Sequence, residues 1–266
     1  MAQRQTEVIL DIPLDRISLE AATEVSVKAI SGRHSQIVFA CANPHSLVVA
    51  QTDSEFRKAL AQANLVVADG VGITITAKIL GLSIGPRITG HDYFFSLMKS
   101  MQDRGKGRVF FFGSSQQVLT LITRRFMDEF PELTLCGCYS PPFGYWGEEE
   151  NRKMTEFINE AKPDVLWVGM TAPKQEKWVA DNQQRLNAQV IGSIGAVFDF
   201  YAGTYSRAPR WISNIGLEWA YRFIQEPRRM WKRNFVSTPK FIWLVIKQHV
   251  FGIRRKTVEG RRRGER

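Results

Sequence analysis

The sequence predicts an α/β protein whose mainly parallel sheet is flanked by helices, and three observations support this class. The chain has 266 residues, 44% of them hydrophobic, which is enough for one globular domain with its own core. Over the first 200 residues, short β-rich apolar runs alternate with longer helical stretches, as is typical of βα units. The strand candidates are continuously apolar, as expected of strands covered on both faces. Together these features indicate a Rossmann-like architecture.

The predicted elements alternate along the chain. The strands are Val8 to Ile12, Gln36 to Cys41, Leu65 to Ala68, Arg108 to Phe112, Leu133 to Cys138, Asp164 to Val168 and Gln189 to Gly192. The helices are Leu19 to Ile30, His45 to Ala61, Val71 to Leu80, Asp92 to Arg104, Gln116 to Glu129, Glu148 to Ala161 and Lys174 to Leu186.

After about residue 203 the strand signals stop, and the chain becomes basic, aromatic and helical. Residues 207–266 carry 16 basic and 4 acidic side chains and four of the seven tryptophans. An amphipathic helix is predicted to begin near Pro239. We therefore divide the chain into a core over residues 1–203, a helical appendage over residues 204–253 and a basic tail over residues 254–266 that we expect to be disordered.

Several function classes lose support from composition alone. No apolar run approaches the roughly 20 residues of a membrane-spanning helix, and the N-terminus lacks the apolar core of a signal peptide, so we expect a cytoplasmic protein. The three cysteines form no disulfide framework, and the four histidines lack metal-ligand spacing. The sequence predicts neither a metal site nor a bound cofactor.

The basic and aromatic appendage indicates an anionic partner surface. Two surfaces remain open on composition: nucleic acid, where arginines contact phosphates and rings stack on bases, and an anionic lipid leaflet, where aromatic side chains lie at headgroup level.

Polar residues follow the predicted strands, where ligands bind in open parallel sheets. Asn43 is either a ligand-binding amide or the cap of the helix that begins at Pro44. Asp69 is either a general base or the cap of the next helix. Gly113 and Ser114 form a turn that favours a phosphate.

Two later strand ends also carry polar residues. Lys174 and Gln175 open a helix that either binds a ligand or presents a solvated first turn. Asp199 lies between two aromatic residues and is either functional or structural. The P-loop lysine motif, the three-glycine dinucleotide fingerprint and any Asp-x-Asp triplet are absent, so amides and arginines would have to hold nucleotide phosphates.

Taken together, motifs in a fixed order resemble the WecG/TagA/CpsF glycosyltransferase family from about residue 8 to about residue 245. They are Asn43-Pro44, Ala68-Asp69-Gly70, Arg87 with Thr89-Gly90-His91-Asp92, Phe112-Gly113, Pro173 to Trp178, Phe198-Asp199-Phe200, Arg207-Ala208-Pro209 and Glu218-Trp219 with Tyr221-Arg222. The resemblance implies an inverting, metal-independent enzyme that moves a sugar from a UDP-sugar to a polyprenyl-diphosphate-linked saccharide. It also implies peripheral association with the inner face of the membrane.

The resemblance also implies roles for individual residues. Asp69 would deprotonate the acceptor hydroxyl, and Asn43 and Arg87 would contact the donor sugar or its diphosphate. Gln175 would line the sugar pocket, with Gly113, Ser114 and Lys174 near the donor. Tyr145 would stack on uracil, and Asp199 would accept a hydrogen bond from the nucleoside.

In the appendage, five basic residues would bind the acceptor or the leaving diphosphate, or form a generic lipid-attracting patch: Arg222, Arg228, Arg229, Lys232 and Arg233. Trp231, Phe241 and Trp243 would be interfacial anchors. Cys41 stands where the family often has threonine, which leaves N-acetylmannosamine, its uronic acid and glucose all open as the donor sugar. A homo-oligomer is compatible with the sequence.

A nucleic-acid-binding protein that uses the same appendage on a non-catalytic α/β scaffold is the rival interpretation. It leaves Asp69, Gln175 and Asp199 unexplained. The third interpretation is a Rossmann-like enzyme that uses another nucleotide.

Overall fold

The computed structural model describes residues 4–32, 35–206, 209 and 218–264, the side chains of Glu218, Arg229 and residues 252–264 excepted. Its first element is an antiparallel hairpin of β1 (Thr6–Ile9) and β2 (Ile12–Asp15), joined through Leu10 and Asp11, which both have positive φ. The prediction of one strand over Val8 to Ile12 within the main sheet was therefore wrong. The tight turn lacks the Asn-Gly or Asp-Gly pair that usually identifies such a hairpin in a sequence.

The main sheet has six strands, all parallel, as the sequence predicts. They are β3 (Ile37–Ala42), β4 (Leu65–Ala68), β5 (Arg108–Gly113), β6 (Thr134–Tyr139), β7 (Val165–Gly169) and β8 (Val190–Ser193), in the order β4-β3-β8-β7-β5-β6. The hairpin lies beside the β4 edge, where Asp15 Oδ2 accepts from Val66 N at 2.6 Å and Arg4 pairs with the same carboxylate. The hairpin thereby satisfies a backbone donor at a sheet edge.

Twelve α-helices surround the sheet and form the appendage in the described part of the chain. They are α1 (Leu19–Ile30), α2 (Pro44–Ala50), α3 (Ser54–Gln62), α4 (Val71–Ile79), α5 (Gly90–Gln102), α6 (Gln116–Glu129), α7 (Glu148–Glu160), α8 (Lys174–Asn182), α9 (Val197–Ala202), α10 (Glu218–Gln225), α11 (Pro227–Trp231) and α12 (Thr238–Gly264). A π-helical segment, Lys232–Ser237, joins α11 to α12.

One continuous helix was predicted over His45 to Ala61, but the structure has two helices there, α2 and α3. The prediction of a single helix was therefore wrong. Asp53 is the N-cap of α3, and its Oδ1 accepts a hydrogen bond from Phe56 N at 3.0 Å. Neither proline nor glycine marks the break between α2 and α3. The Asp53 carboxylate also pairs with Lys177 Nζ at 2.7 Å, which ties α3 to α8.

Alternate residues of each strand enter two separate cores, one on each face of the sheet. Along β5, Phe110 and Phe112 pack in one core, whereas Val109 and Phe111 pack in the other. This arrangement confirms the prediction from continuously apolar strands that helices cover both faces.

The appendage shares one of these cores with the body. Phe241 and Val245 of α12 are fully buried in the cluster that contains Leu47 of α2, and Gln248 Oε1 accepts from Leu10 N at 2.9 Å. Phe241 is therefore not an interfacial anchor, and that prediction was wrong. Its side chain attaches the appendage to the body.

The backbone of α12 is helical as far as Gly264 and so enters the tail for which disorder is predicted. The side chains of residues 252–264 and all of residues 265–266 lie outside the described residues. The domain boundaries and the nature of the tail stay predictions. Among the helices of the described part, none has the length and hydropathy of a membrane span.

Candidate active site

A cavity of about 620 Å³ opens at the carboxyl edge of the sheet, over the ends of β4, β3, β8 and β7. The loops after these four strands form its floor and one wall, and the appendage forms the opposite wall. This is the position at which open parallel sheets bind ligands.

Asn43 follows β3 and caps α2. Its Oδ1 accepts from Ser46 N at 3.0 Å, and Ser46 Oγ accepts from Asn43 N at 2.7 Å, a reciprocal capping box. The helix-cap interpretation is thus confirmed. Because the cap engages the side-chain oxygen, the amide N–H₂ is the hydrogen-bonding group that Asn43 retains for the cavity that it lines.

Asp69 follows β4 and lies beside Arg87. The N-cap of α4 is Gly70, with φ +121°, so Asp69 precedes the capping position that the structural alternative assigned to it. Its backbone N donates to Ala42 O at 2.7 Å, which holds the strand end in place. Arg87 Nε lies 3.9 Å from Asp69 Oδ1, and both side chains, 25% and 31% exposed, line the cavity. A carboxylate and a guanidinium therefore meet at one point of the sheet edge.

The floor of the cavity contains buried polar side chains from β8 and α8. Gln175 Nε2 donates to Glu176 Oε1 at 2.8 Å, and Ser193 lies at the end of β8. Burial raises the pKa of Glu176 to about 7, although hydrogen bonds from Gln175 and from the backbone oppose the rise. Gln175 Oε1, Glu176 Oε2 and Ser193 Oγ have no hydrogen-bond partner within the described residues.

Cys41 lies between the acidic groups of the site. Burial, and then the charges of Asp69, Glu176 and Asp92, raise the pKa of its thiol well above the usual value. The thiol therefore stays protonated and is a poor nucleophile.

The appendage wall is joined to the body by a hydrogen bond between His45 Nδ1 of α2 and Ser237 Oγ of the π-helical segment, at 2.8 Å. Burial, together with the positive charges of Arg233 and Lys232, lowers the pKa of His45 to about 4, so the imidazole is neutral at pH 7. The same segment brings Arg233, Asn234 and Phe235 to the cavity. Its π-helical geometry is often found at functional sites.

Groups that bind anions line this cavity, and they are of two kinds. Arg87, Arg222 and Arg233 line it, and the N-termini of α4 and α5 lie at its wall. Guanidinium groups and helix N-termini both favour anions such as phosphate groups.

Four residues that the sequence assigns to the donor lie together but outside the lining of this cavity: Gly113, Ser114, Tyr145 and Lys174. They lie near the ends of β5 and β6, beyond β7 in the strand order. Lys174 Nζ donates to Gly144 O at 2.6 Å and lies 3.7 Å from the centre of the Trp146 ring. The Tyr145 side chain is 95% exposed. Their roles stay predictions.

Gly113 has a structural requirement of its own. Its φ is +114°, and a Cβ there would lie 2.7 Å from Gly169 O of the adjacent β7. Any larger residue would separate these two strands.

Of the other predicted residues, Asp199 lies half-buried in α9 and does not line the cavity. Arg228 and Lys232 are exposed and lie outside the lining, whereas the Arg229 side chain lies outside the described residues. The structure thus brings together six of the predicted residues around one cavity: Asn43, Asp69, Arg87, Gln175, Arg222 and Arg233.

The sequence analysis gave no site role to several residues that line the cavity, chiefly His45, Glu176, Ser193, Asn234 and Phe235. Ser193 carried a usable signal, because it ends a parallel strand at the same edge as Asn43 and Asp69. Asn234 and Phe235 carried none, since only packing of the appendage brings them to the sheet. Within the described ranges, no group of three or more histidine, cysteine or acidic side chains has the arrangement of a metal site.

Comparisons with known proteins agree on one family. The profile described as "Glycosyl transferase WecG/TagA/CpsF family" matches residues 7–255. A protein of Bacillus subtilis (strain 168), named N-acetylglucosaminyldiphosphoundecaprenol N-acetyl-beta-D-mannosaminyltransferase, is 29% identical over 244 residues, which cover 92% of each chain. Proteins of the same name from Bacillus spizizenii and Staphylococcus aureus (strain MW2) are 31% identical over 77% of each chain, and 25% identical over 90% of this chain and 91% of the relative.

Proposed function

Because the chain belongs to the WecG/TagA/CpsF family and is a glycosyltransferase, we propose that it moves a sugar from a UDP-sugar to a polyprenyl-diphosphate-linked saccharide during synthesis of a cell-surface polysaccharide. The name of the relatives supports an acceptor of this kind, N-acetylglucosaminyldiphosphoundecaprenol, and an N-acetylmannosamine-type donor. The uronic acid of that sugar and glucose remain alternative donors.

The observation that carries this proposal is Asp69 beside Arg87 on the wall of a large cavity. Asp69 acts as the base that removes the proton from the acceptor hydroxyl, and the resulting oxygen attacks the anomeric carbon as the bond to UDP breaks. A single in-line displacement of this kind inverts the anomeric configuration. The β linkage in the relatives' name agrees with inversion of an α-linked donor.

Departure of UDP places negative charge on the diphosphate. In the proposed mechanism Arg87, Arg222 and Arg233, with the N-termini of α4 and α5, stabilise that charge without a metal ion. Asn43 contributes its amide N–H₂ group as a donor to the sugar or to the diphosphate.

The nucleoside is proposed to extend from the cavity toward β5 and β6. Met170, Thr171 and Ala172 line the cavity and lead along the chain directly to Lys174, beside the loop that carries Tyr145. The exposed Tyr145 ring is then available to stack on uracil, near the turn formed by Gly113 and Ser114. Asp199 is proposed to accept from the nucleoside.

A lipid-linked acceptor requires access to a membrane surface, and the appendage has a suitable exposed face. Trp231, Trp243 and Phe251 are half or more exposed, and four exposed basic residues lie along the same helices: Arg228, Lys232, Lys240 and Lys247. Aromatic rings and cations in this combination favour the interface of an anionic leaflet. We propose peripheral association with the inner face of the cell membrane.

A cavity at the sheet edge that is lined by Asp69, Arg87 and Gln175 favours the transferase over the nucleic-acid-binding alternative, which gives that cavity no role. Flotation with anionic vesicles and retention of RNA and DNA, each across a salt series, compare the two directly. We expect vesicle binding. Tight nucleic-acid binding without vesicle binding would favour the alternative.

The donor class is tested by calorimetric titration of the full chain with UDP, UDP-sugars, other nucleotides and NAD in the presence of a chelator. We expect binding of UDP and of at least one UDP-sugar without metal, together with thermal stabilisation. Binding of another nucleotide with no response to any uridine ligand would contradict the proposal.

A further inference from the structure

Gln175 and Glu176 form an unusual contact in the first turn of α8. Successive residues of a helix normally point away from each other. Here both side chains are buried, 4% and 6% exposed, and Gln175 Nε2 donates to Glu176 Oε1 at 2.8 Å. An unprotonated carboxyl oxygen can only accept, so this bond determines which end of the Gln175 amide faces Glu176.

Three polar atoms at the floor of the cavity are left without a hydrogen-bond partner in the described part of the chain. Gln175 Oε1 and Glu176 Oε2 have no partner among the described residues, and neither does the hydroxyl of Ser193, which is 2% exposed. All three residues line the cavity. Buried polar atoms left unpaired destabilise a protein, so a group of them beside a cavity points to a ligand that supplies hydrogen-bonding groups.

The shape of the backbone keeps the Gln175 amide in place. Gly195 approaches so closely that a Cβ on it would lie 3.3 Å from Gln175 Oε1 and 3.4 Å from Nε2. Its φ of +50° also favours glycine. The floor is therefore a built arrangement of one amide carbonyl, one carboxyl group and one hydroxyl.

We propose that Glu176 is a positioning residue for recognition of the donor sugar. By accepting from Gln175 Nε2, it keeps Gln175 Oε1 directed to the cavity, where this oxygen and Ser193 Oγ bind a hydroxyl or amide N–H of the sugar. The inference rests on the proposed function, in which Gln175 lines the sugar pocket, and deepens it by giving Glu176 and Ser193 roles there. The Gln175 Oε1 carbonyl repels phosphate oxygens, and in the proposed mechanism the diphosphate lies instead at Arg87, Arg222 and Arg233.

Calorimetry with the full chain tests this role through the ratio of two dissociation constants, that of a UDP-sugar and that of UDP. The probe is the tightest-binding of UDP-N-acetylmannosamine, its uronic acid form and UDP-glucose. Glu176→Met removes the acceptor while keeping the length of the side chain. Glu176→Gln is the matched control, because its amide oxygen still accepts from Gln175.

We expect Glu176→Met to raise the dissociation constant of the UDP-sugar about tenfold or more, while that of UDP changes less than about twofold. Glu176→Gln should recover most of the loss. In Gln175→Ala, adding Glu176→Met should cause no further loss, because Glu176 acts through Gln175. The melting temperature of Glu176→Met should not fall, since methionine replaces a buried acid without a counterion.

Three results would overturn the inference. The first is an unchanged UDP-sugar affinity in Glu176→Met, and the second is an equal loss of affinity for UDP and for the UDP-sugar together with a lower melting temperature. The third is additive losses of UDP-sugar affinity in the double variant. The second result would mean that Glu176 supports only packing. Failure of the proposed function is distinguishable, because the unaltered protein would then bind no uridine ligand, and this inference would be rejected with it.

Discussion

The two walls of the cavity are built in different ways. The body wall carries Asn43 and Asp69 directly after buried parallel strands and Gln175 in the first turn of α8. A capping box or short hydrogen bonds hold these segments. The appendage wall carries Arg222, Arg233 and Phe235 on short helices, held by the His45–Ser237 hydrogen bond and by Phe241 in the core.

In the proposed mechanism this cavity performs two tasks, and its two sides suit them differently. A sheet edge gives the fixed geometry that proton transfer and sugar recognition require, because its side chains start from a rigid backbone. Short helices on a few anchors give a wall that brings cations to a leaving group and also presents aromatic side chains outward. We expect substitutions in the body wall to change chemistry or sugar recognition, and substitutions in the appendage to change its attachment, anion binding or membrane binding.

The largest effect is expected from Asp69→Asn. Loss of the base should lower turnover by roughly 10³-fold while leaving UDP affinity nearly unchanged. Turnover is measured with a short-chain polyprenyl-diphosphate-linked N-acetylglucosamine, and UDP affinity by calorimetry. Asp103→Asn, an exposed residue after α5, is the control. Turnover at the level of the unaltered protein would remove Asp69 as the base.

Phe241→Ala tests the attachment of the appendage. Phe241 is fully buried, so its truncation should lower the free energy of unfolding by about 3 kcal/mol or more. Trp243→Ala, two residues along the same helix and 59% exposed, should change it by less than about 0.5 kcal/mol and instead weaken vesicle flotation. Equal stability losses in denaturant unfolding would show that the two side chains do not divide these roles.

Glu176→Gln tests the buried acid of the body wall. The pKa of Glu176 is about 7 in the folded protein and 4.5 as its ordinary value. Between pH 4.5 and pH 7 the folded state therefore binds more protons than the unfolded state, so the free energy of unfolding falls as the pH rises. Glutamine does not titrate. As the pH rises from 4.5 to 7, the free energy of unfolding of the variant should therefore increase by up to about 3 kcal/mol relative to that of the unaltered protein.

Denaturant unfolding of both proteins at pH 5 and pH 8 measures this gain. Glu160→Gln, which is exposed on α7, should show no such difference. A pH-independent effect of Glu176→Gln would mean that the carboxyl is ionised in the folded protein throughout this range.

The smallest effect is expected from single arginines of the appendage. Arg233 lines the cavity, so Arg233→Ala should raise the dissociation constant of UDP about tenfold. Arg228 is exposed outside the lining, so Arg228→Ala should leave UDP affinity unchanged and reduce binding to anionic vesicles. If both variants lost UDP affinity equally, the division between lining and outward-facing cations would be incorrect.

The sheet and part of its site were predictable because their signals are local. Continuous apolar runs identified the six parallel strands, and residues after parallel strands necessarily meet at one edge. Asn43, Asp69 and Gln175 were proposed in this way. The family motifs added Arg87 and Arg222, and the basic appendage added Arg233. The sequence did not decide whether Asn43 or Asp69 caps a helix. The structure shows that Asn43 is the N-cap of α2 and that Gly70, not Asp69, is the N-cap of α4.

Other features left little local signal. The turn at Leu10 and Asp11 and the break before Asp53 contain no glycine or proline, so neither the hairpin nor the split helix was expected. The pattern of apolar and polar residues in α12 also does not identify which side of the helix packs on the body. Phe241 was therefore assigned to the membrane together with Trp243.

The sequence by itself determined the α/β class, the six strands of the main sheet, the polar residues that follow them and the basic, aromatic character of the appendage. These features depend on composition and on the period of neighbouring residues. Only the tertiary structure decided the strand order, the wall formed by the appendage and the buried contact of Gln175 with Glu176. Strand order separates Gly113 and Tyr145 from the cavity, and docking of α12 brings Arg233 to it. These outcomes depend on which distant surfaces bury each other most completely, and that is a property of the whole chain.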